Sequence, residues 1–406
     1  MNILCLTDAA WPDRAGGIAR TVALEVEGLH KLGHSVVVVS RRLKPGDPEH
    51  ENRGSYELFR FLGPAPGALA PFTYPALTLL RLPSLLRKLH ARFGFDVAYT
   101  NNLFQALALR QSAICIPSLY VFHASTHREI TIDSTQGKYG KLRGFAKLAT
   151  HFIRPIEQNV LLRSSQVLAR SEFMRSEIES LYGQRASNHV AVVPLGIDND
   201  TFDFADSTTH ARRALGISPG VGPIIFTARR LVARTGVHNA VLAMRDVVVA
   251  FPKAVLMIAG TGYLEERLRQ LIAAEGLSEN VKLLGFVTDK DLVSYCQAAD
   301  LYLMPTQAYE GFGLATLEAL SCGTPVVCTP IGANPEVLAP LDPDLVATDS
   351  GPCAIAMAMN RWLRRLPDAA VRLRCRTYCR DRFSSGSVCK QLESLLREVA
   401  SDKTNQ

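Results

Sequence analysis

No pair among the nine cysteines has CxxC spacing, no basic leader precedes the first apolar run, and no repeat or low-complexity tract interrupts the 406 residues. Irregular cysteines without a leader exclude a secreted disulfide scaffold and predict reduced thiols in the cytoplasm. They also argue against a bound metal. Cys375 and Cys379 fall on one face of a predicted helix and Cys389 follows, but a fourth ligand is missing. His123 and His127 would form a metal pair only on a helix, and the Ala-Ser-Thr between them predicts a loop. A membrane span is absent as well. Phe61 to Leu80 is uncharged, but prolines at 64, 66, 71 and 75 would cost a lipid-exposed helix too many hydrogen bonds. That stretch reads as a loop leading into an amphipathic helix with Leu79, Leu82, Leu85, Leu86 and Leu89 on one side and Arg81, Arg87, Lys88 and Arg92 on the other. Such a helix faces the core with a solvated basic side, or rests on an anionic membrane.

What is present suits two domains of about 200 residues each. Net charge is +7, and it is unevenly placed: residues 1 to 195 hold 23 Lys+Arg against 15 Asp+Glu, and the remainder 22 against 23, giving +8 and −1. The basic first half fits an anionic acceptor, the inner face of a membrane or simply a solvated surface; no nucleic-acid partner is expected.

Along the chain, short apolar runs alternate with helical periodicity. Ile3 to Thr7, Val36 to Val39, Asp96 to Thr100, Ser118 to His123 and Gln166 to Ser171 read as strands of one parallel sheet, with Ser171 capping the next helix. A second series opens at Pro223 and continues through Ala254 to Ala259, Val281 to Val287 and Ala299 to Pro305. The predicted fold is α/β, two Rossmann-like doubly wound domains, with residues 1–195 as the first, 196–375 as the second and 376–406 as terminal helices, which a family resemblance implies cross back to the first domain.

The chemistry concentrates in Tyr309 to Ala319, Tyr-Glu-Gly-Phe-Gly-Leu-Ala-Thr-Leu-Glu-Ala, between a strand and a helix. The loop after a parallel strand faces the ligand crevice, and the helix behind it starts with unpaired N–H groups and a positive dipole end. Gly311 and Gly313 let a ligand approach the backbone, so N–H groups near Gly313, Leu314 and Ala315 suit a phosphate. Glu310 stands at the mouth, and Glu318, further along the helix, is placed to accept from a diol. Arginines after the strand at Pro223, namely Arg229, Arg230 and Arg234, suit a diphosphate.

Two glutamates separated by seven residues within Glu-Gly-Phe-Gly resemble the signature of the retaining glycosyltransferases of family 4, also called group 1. The resemblance spans about residues 1 to 400 and is densest from Pro194 to Leu338. It implies a GT-B arrangement of two domains facing a cleft. It further implies that Glu310 orients the donor sugar, that the backbone of Phe312, Gly313 and Leu314 serves sugar hydroxyls and phosphate, and that Glu318 holds a ribose. Gly17, in the Gly-Gly loop after the first strand, would face the donor diphosphate, and His123 would lie near the reacting sugar. Arg230 matches the family arginine. The lysine that usually precedes Gly236 is replaced by Thr235, so Arg234 is expected to supply the second charge. The activity implied is transfer, with retention, of a sugar from a nucleoside diphosphate, UDP ahead of GDP, to a glycan, lipid-linked or small-molecule acceptor. No metal or other cofactor is implied. Two other readings stay open: a degenerate sugar-nucleotide-binding partner subunit, and an NAD-dependent oxidoreductase, which the missing third glycine after Gly260 and Gly262 disfavours.

Overall fold

A computed structural model describes residues 1–13, 16–44, 46–64, 70–135, 143–204, 208–365 and 369–401. Two compact units result: Met1–Gly196 together with Ser385–Gln406, and Ile197–Ser384.

The first unit holds β1 (Asn2–Leu6), β2 (Ser35–Arg42), β3 (His50–Asn52), β4 (Glu57–Leu62), β5 (Val97–Thr100), β6 (Ser118–Phe122), β7 (Gln166–Ala169) and β8 (Val190–Val192) in the order β3-β4-β2-β1-β5-β6-β7-β8. Every pairing is parallel except that of the edge strand β3 with β4. A parallel sheet is covered on both faces, so its strands are continuously apolar. On one face Ile3, Cys5, Val36 and Val38 pack against Val22, Val26 and Leu29 of the helix Gly17–Lys31. On the other, Leu4, Leu6, Val37 and Val39 pack against Leu82, Leu86 and Leu89.

Those leucines belong to a helix Ala70–Phe93 that begins well before the expected loop ends and runs through Pro75 and Pro83. Each proline removes a hydrogen bond, but Tyr74, Leu82, Leu86 and Leu89 keep a buried stripe across both breaks, and that burial carries the helix on. Arg81, Arg87, Lys88 and Arg92 lie on its exposed side. Among the described residues no helix is long and apolar enough to cross a membrane.

The second unit holds β9 (Ile224–Ala228), β10 (Val255–Ala259), β11 (Val281–Gly285), β12 (Leu301–Met304) and β13 (Val326–Cys328), ordered β11-β10-β9-β12-β13 and parallel throughout. The order reverses between β9 and β12, which brings the loops leaving those two strands side by side at the carboxyl ends of the strands, the place where such sheets bind ligands. Both units are therefore Rossmann-like. The expected boundary at 375 falls inside a helix Ala369–Phe383 that packs against the helix Leu314–Ser321 and stays with the second unit. The chain returns one helix later. Ser385–Ser401 joins the first unit because Val388, Leu392, Leu396 and Val399 complete the cluster around Val26 and Leu29.

Candidate active site

The loop that leaves β12 is built to hold Glu310 still. Tyr309 adopts φ 57, a left-handed conformation rare for a side-chain-bearing residue. The next carbonyl, that of Glu310, accepts from Ala333 N–H at 2.9 Å. Gly332 presses against the same backbone: a Cβ there would lie 2.2 Å from the Glu310 oxygen. The Glu310 carboxylate is mostly buried, and its Oε2 accepts from Arg229 Nη2 at 2.5 Å and from the Thr306 hydroxyl at 3.2 Å.

The loop leaving β9 is stitched to the Glu310 loop. Arg234 supplies its carbonyl to the N–H groups of Gln307 and Ala308 at 2.8 and 3.2 Å, and its Nη1 donates to the Tyr309 carbonyl at 3.2 Å. Thr235, where the family lysine was expected, is buried and turns its hydroxyl onto the carbonyls of Arg230 and Val232 at 2.8 and 2.7 Å. Arg230 is exposed. Gly260 and Gly262, after β10, are explained by the same loop: a Cβ at either would lie 1.9 Å from the Arg229 carbonyl or 2.2 Å from that of Leu231. Backbone packing, and not a dinucleotide, requires glycine there.

Behind Glu310, Gly313 takes φ 90 and caps the helix Leu314–Ser321, whose first turn carries no acidic residue. Its end is thus open to an anion at the Leu314 and Ala315 N–H groups. Phe312 is buried edge-on against Phe383 with centroids 5.7 Å apart, which leaves its backbone, not its ring, for a ligand. Glu318 is only 6% exposed, on the buried side of that helix. Arg229, Arg230, Arg234, Glu310, Phe312, Gly313, Leu314 and Glu318 all belong to the second unit, gathered where its strand order reverses.

Gly17 and His123 belong to the first unit. Gly17 opens the helix after β1; the preceding Arg14 and Ala15 lie outside the described residues. His123 follows β6, one residue past the strand's end. Its Nε2 lies 3.0 Å from Asn101 Oδ1, a pairing that puts the proton on Nε2. Burial, reinforced by the nearby Arg170 charge, pushes the imidazole down to about 3, so it works as a neutral group. Arg170 is itself buried against Glu25 Oε1 at 2.7 Å and the Tyr99 hydroxyl at 2.9 Å. His127 makes no pair with His123: on a helix Thr126–Thr135, its Nδ1 meets Ser125 Oγ at 2.8 Å and the Tyr182 hydroxyl at 3.0 Å. Cys375 and Cys379 are buried in the second unit and Cys389 in the first.

Sequence reasoning passed over the pairing of Arg229 and Thr306 with Glu310. The available signal was the tandem Arg229-Arg230 directly after a strand, of which the motif match selects the second.

The model for glycosyl transferases group 1 matches residues 212–380, and that for Glycosyltransferase Family 4 matches residues 15–201. The D-inositol 3-phosphate glycosyltransferase of Corynebacterium urealyticum is 30% identical over 95% of this chain and 91% of its own length. A GDP-mannose-dependent monoacylated alpha-(1-6)-phosphatidylinositol monomannoside mannosyltransferase of Corynebacterium glutamicum is 34% identical, over 42% of this chain and 45% of that protein. The solved structure of Anabaena HepE in complex with UDP and glucose superposes with a TM-score of 0.72 at 19% identity, covering 98% of this chain and all of that one. With two family models covering successive parts of the chain and a relative matched along nearly its whole length, this protein belongs to the group 1, family 4 glycosyltransferases.

Proposed function

We propose that the chain moves a hexosyl group from a nucleoside diphosphate sugar to a hydroxyl of a glycan, lipid-linked or small-molecule acceptor, with retention of anomeric configuration. The observation that carries this reading is the fixed Glu310 carboxylate beside an unacidified helix N-terminus and a loop of arginines. The nucleotide is proposed as UDP ahead of GDP. HepE was solved with UDP and glucose, whereas the GDP-mannose-dependent relative matches only part of this chain.

In this reading Arg230, Arg234 and the helix end at Gly313 neutralise the leaving diphosphate, and no divalent metal is required. The acceptor hydroxyl attacks from the face the diphosphate leaves, and its proton passes to the departing phosphate oxygen. Glu310 orients the sugar and stabilises charge on it without forming a covalent intermediate. Glu318 takes the ribose, Gly17 the diphosphate, and His123 a sugar hydroxyl. The exposed basic side of helix Ala70–Phe93, where Leu80 is 76% exposed, suits peripheral contact with an anionic membrane facing the cytoplasm.

Glu310→Ala tests the site. Transfer should fall by about 10² or more while the thermal shift with UDP or GDP persists, the pattern of a lost transition-state contact. Unchanged turnover would remove Glu310 from the chemistry. Loss of activity in EDTA with recovery in manganese would overturn metal independence. A degenerate partner subunit is the second reading, favoured by Thr235 in the lysine position; turnover by the isolated chain removes it.

A further inference from the structure

Arg229 is absent from the proposed donor contacts, yet it makes the closest ion pair to Glu310. Its planar fork divides between two partners: Nη2 donates to Glu310 Oε2 at 2.5 Å and Nη1 to Thr306 Oγ1 at 2.7 Å, with Met304 Sδ 3.3 Å from Nη1. The Thr306 hydroxyl donates in turn to the same Oε2 at 3.2 Å, which closes a triangle. The two charged side chains are 9% and 13% exposed, so water competes little and both rotamers are restricted. Both backbones are fixed as well. Arg229 N–H donates to the Ala259 carbonyl at 2.9 Å, and Gly332 and Ala333 clamp Glu310 as described above.

All of these bonds fall on Oε2. Among the described residues Oε1 accepts no hydrogen bond, whereas an ion pair serving stability alone would gain from a bidentate grip on both oxygens.

We propose that Arg229 is a positioning residue: with Thr306 it fixes Glu310 by one oxygen and offers the other to the donor sugar. This rests on the reading that Glu310 contacts that sugar. Lysine at 229 would keep the charge and lose the fork, and glutamine would lose the charge.

The test uses the full chain carrying Arg229→Gln, Arg229→Lys, Glu310→Gln or the pair Arg229→Gln with Glu310→Gln. Nucleotide release from UDP-glucose and GDP-mannose, UDP binding by calorimetry and melting temperature are measured for each. Arg229→Gln should lower kcat by about 10- to 100-fold, with donor KM and UDP affinity within about threefold of the parent. Arg229→Lys should recover part of that loss, and the double variant should be no slower than Glu310→Gln alone. A purely structural role would instead lower the melting temperature and leave kcat per folded chain unchanged. That result, additive losses in the double variant, or faster turnover in Arg229→Gln would overturn the proposal. Full activity in Glu310→Gln, or no turnover of either donor by the parent, removes the underlying reading of Glu310 and the proposal with it. An impaired Glu310→Gln beside a normal Arg229→Gln removes the proposal alone.

Discussion

At the scale of single residues, ion pairing and burial treat two side chains of the candidate site differently. Glu310 is held by a guanidinium, whereas His123 is kept neutral by burial and by the Arg170 charge. The imidazole's depressed value fixes the sign of a pH effect. Between an ordinary histidine value near 6.5 and about 3, the unfolded chain binds a proton that the folded chain does not, so stability falls as pH drops through that window. His123→Asn should flatten the dependence of melting temperature on pH over that range. An unchanged slope would show that the imidazole titrates normally.

At the scale of elements, the loops leaving β9 and β12 behave as one piece. Gly236, with φ 73, caps the helix Val237–Ala250 and approaches the Pro305 carbonyl so closely that a Cβ would lie 1.7 Å from it. Gly236→Ala should therefore destabilise the second unit by more than about 1 kcal/mol in urea unfolding and should displace Arg234 from Tyr309. A neutral result would mean that the loops slide past one another. In the same loop the Thr235 hydroxyl turns onto the carbonyls of Arg230 and Val232 and closes the loop on itself.

At the scale of the whole molecule, the helix Ser385–Ser401 is part of a core laid down by the first residues of the chain. Leu392 and Leu396 are fully buried with Val26 and Leu29, and the helix is also tied by His34 Nε2 to Glu393 Oε1 at 2.9 Å. Leu392→Ala should cost the first unit about 2–5 kcal/mol, the range for a large-to-small change in a packed core. Circular dichroism during urea unfolding would read it as an earlier transition in the first unit alone. Simultaneous loss of both units would show that they unfold as one.

By itself, the sequence determined the central parallel strands of both sheets, the helix cap at Ser171 and the helix behind Gly313, because apolar runs, caps and glycines act locally and at fixed spacing, whereas the role proposed for Glu310 follows from a family resemblance. Tertiary structure decided the rest. The helix through Pro75 and Pro83 exists because the sheet beneath it rewards burial over a stretch whose local chemistry disfavours a helix. Helix Ala369–Phe383 stays with the second unit, where buried Arg372 donates to the carbonyls of Gln297, Ala299 and Cys322, while the next helix sinks Leu392 and Leu396 into the core of the first. Arg229 meets Glu310 across 81 residues because β9 and β12 are neighbours at the point where the strand order reverses. Contacts of that kind depend on which strands lie side by side, and no local pattern in the chain encodes the choice.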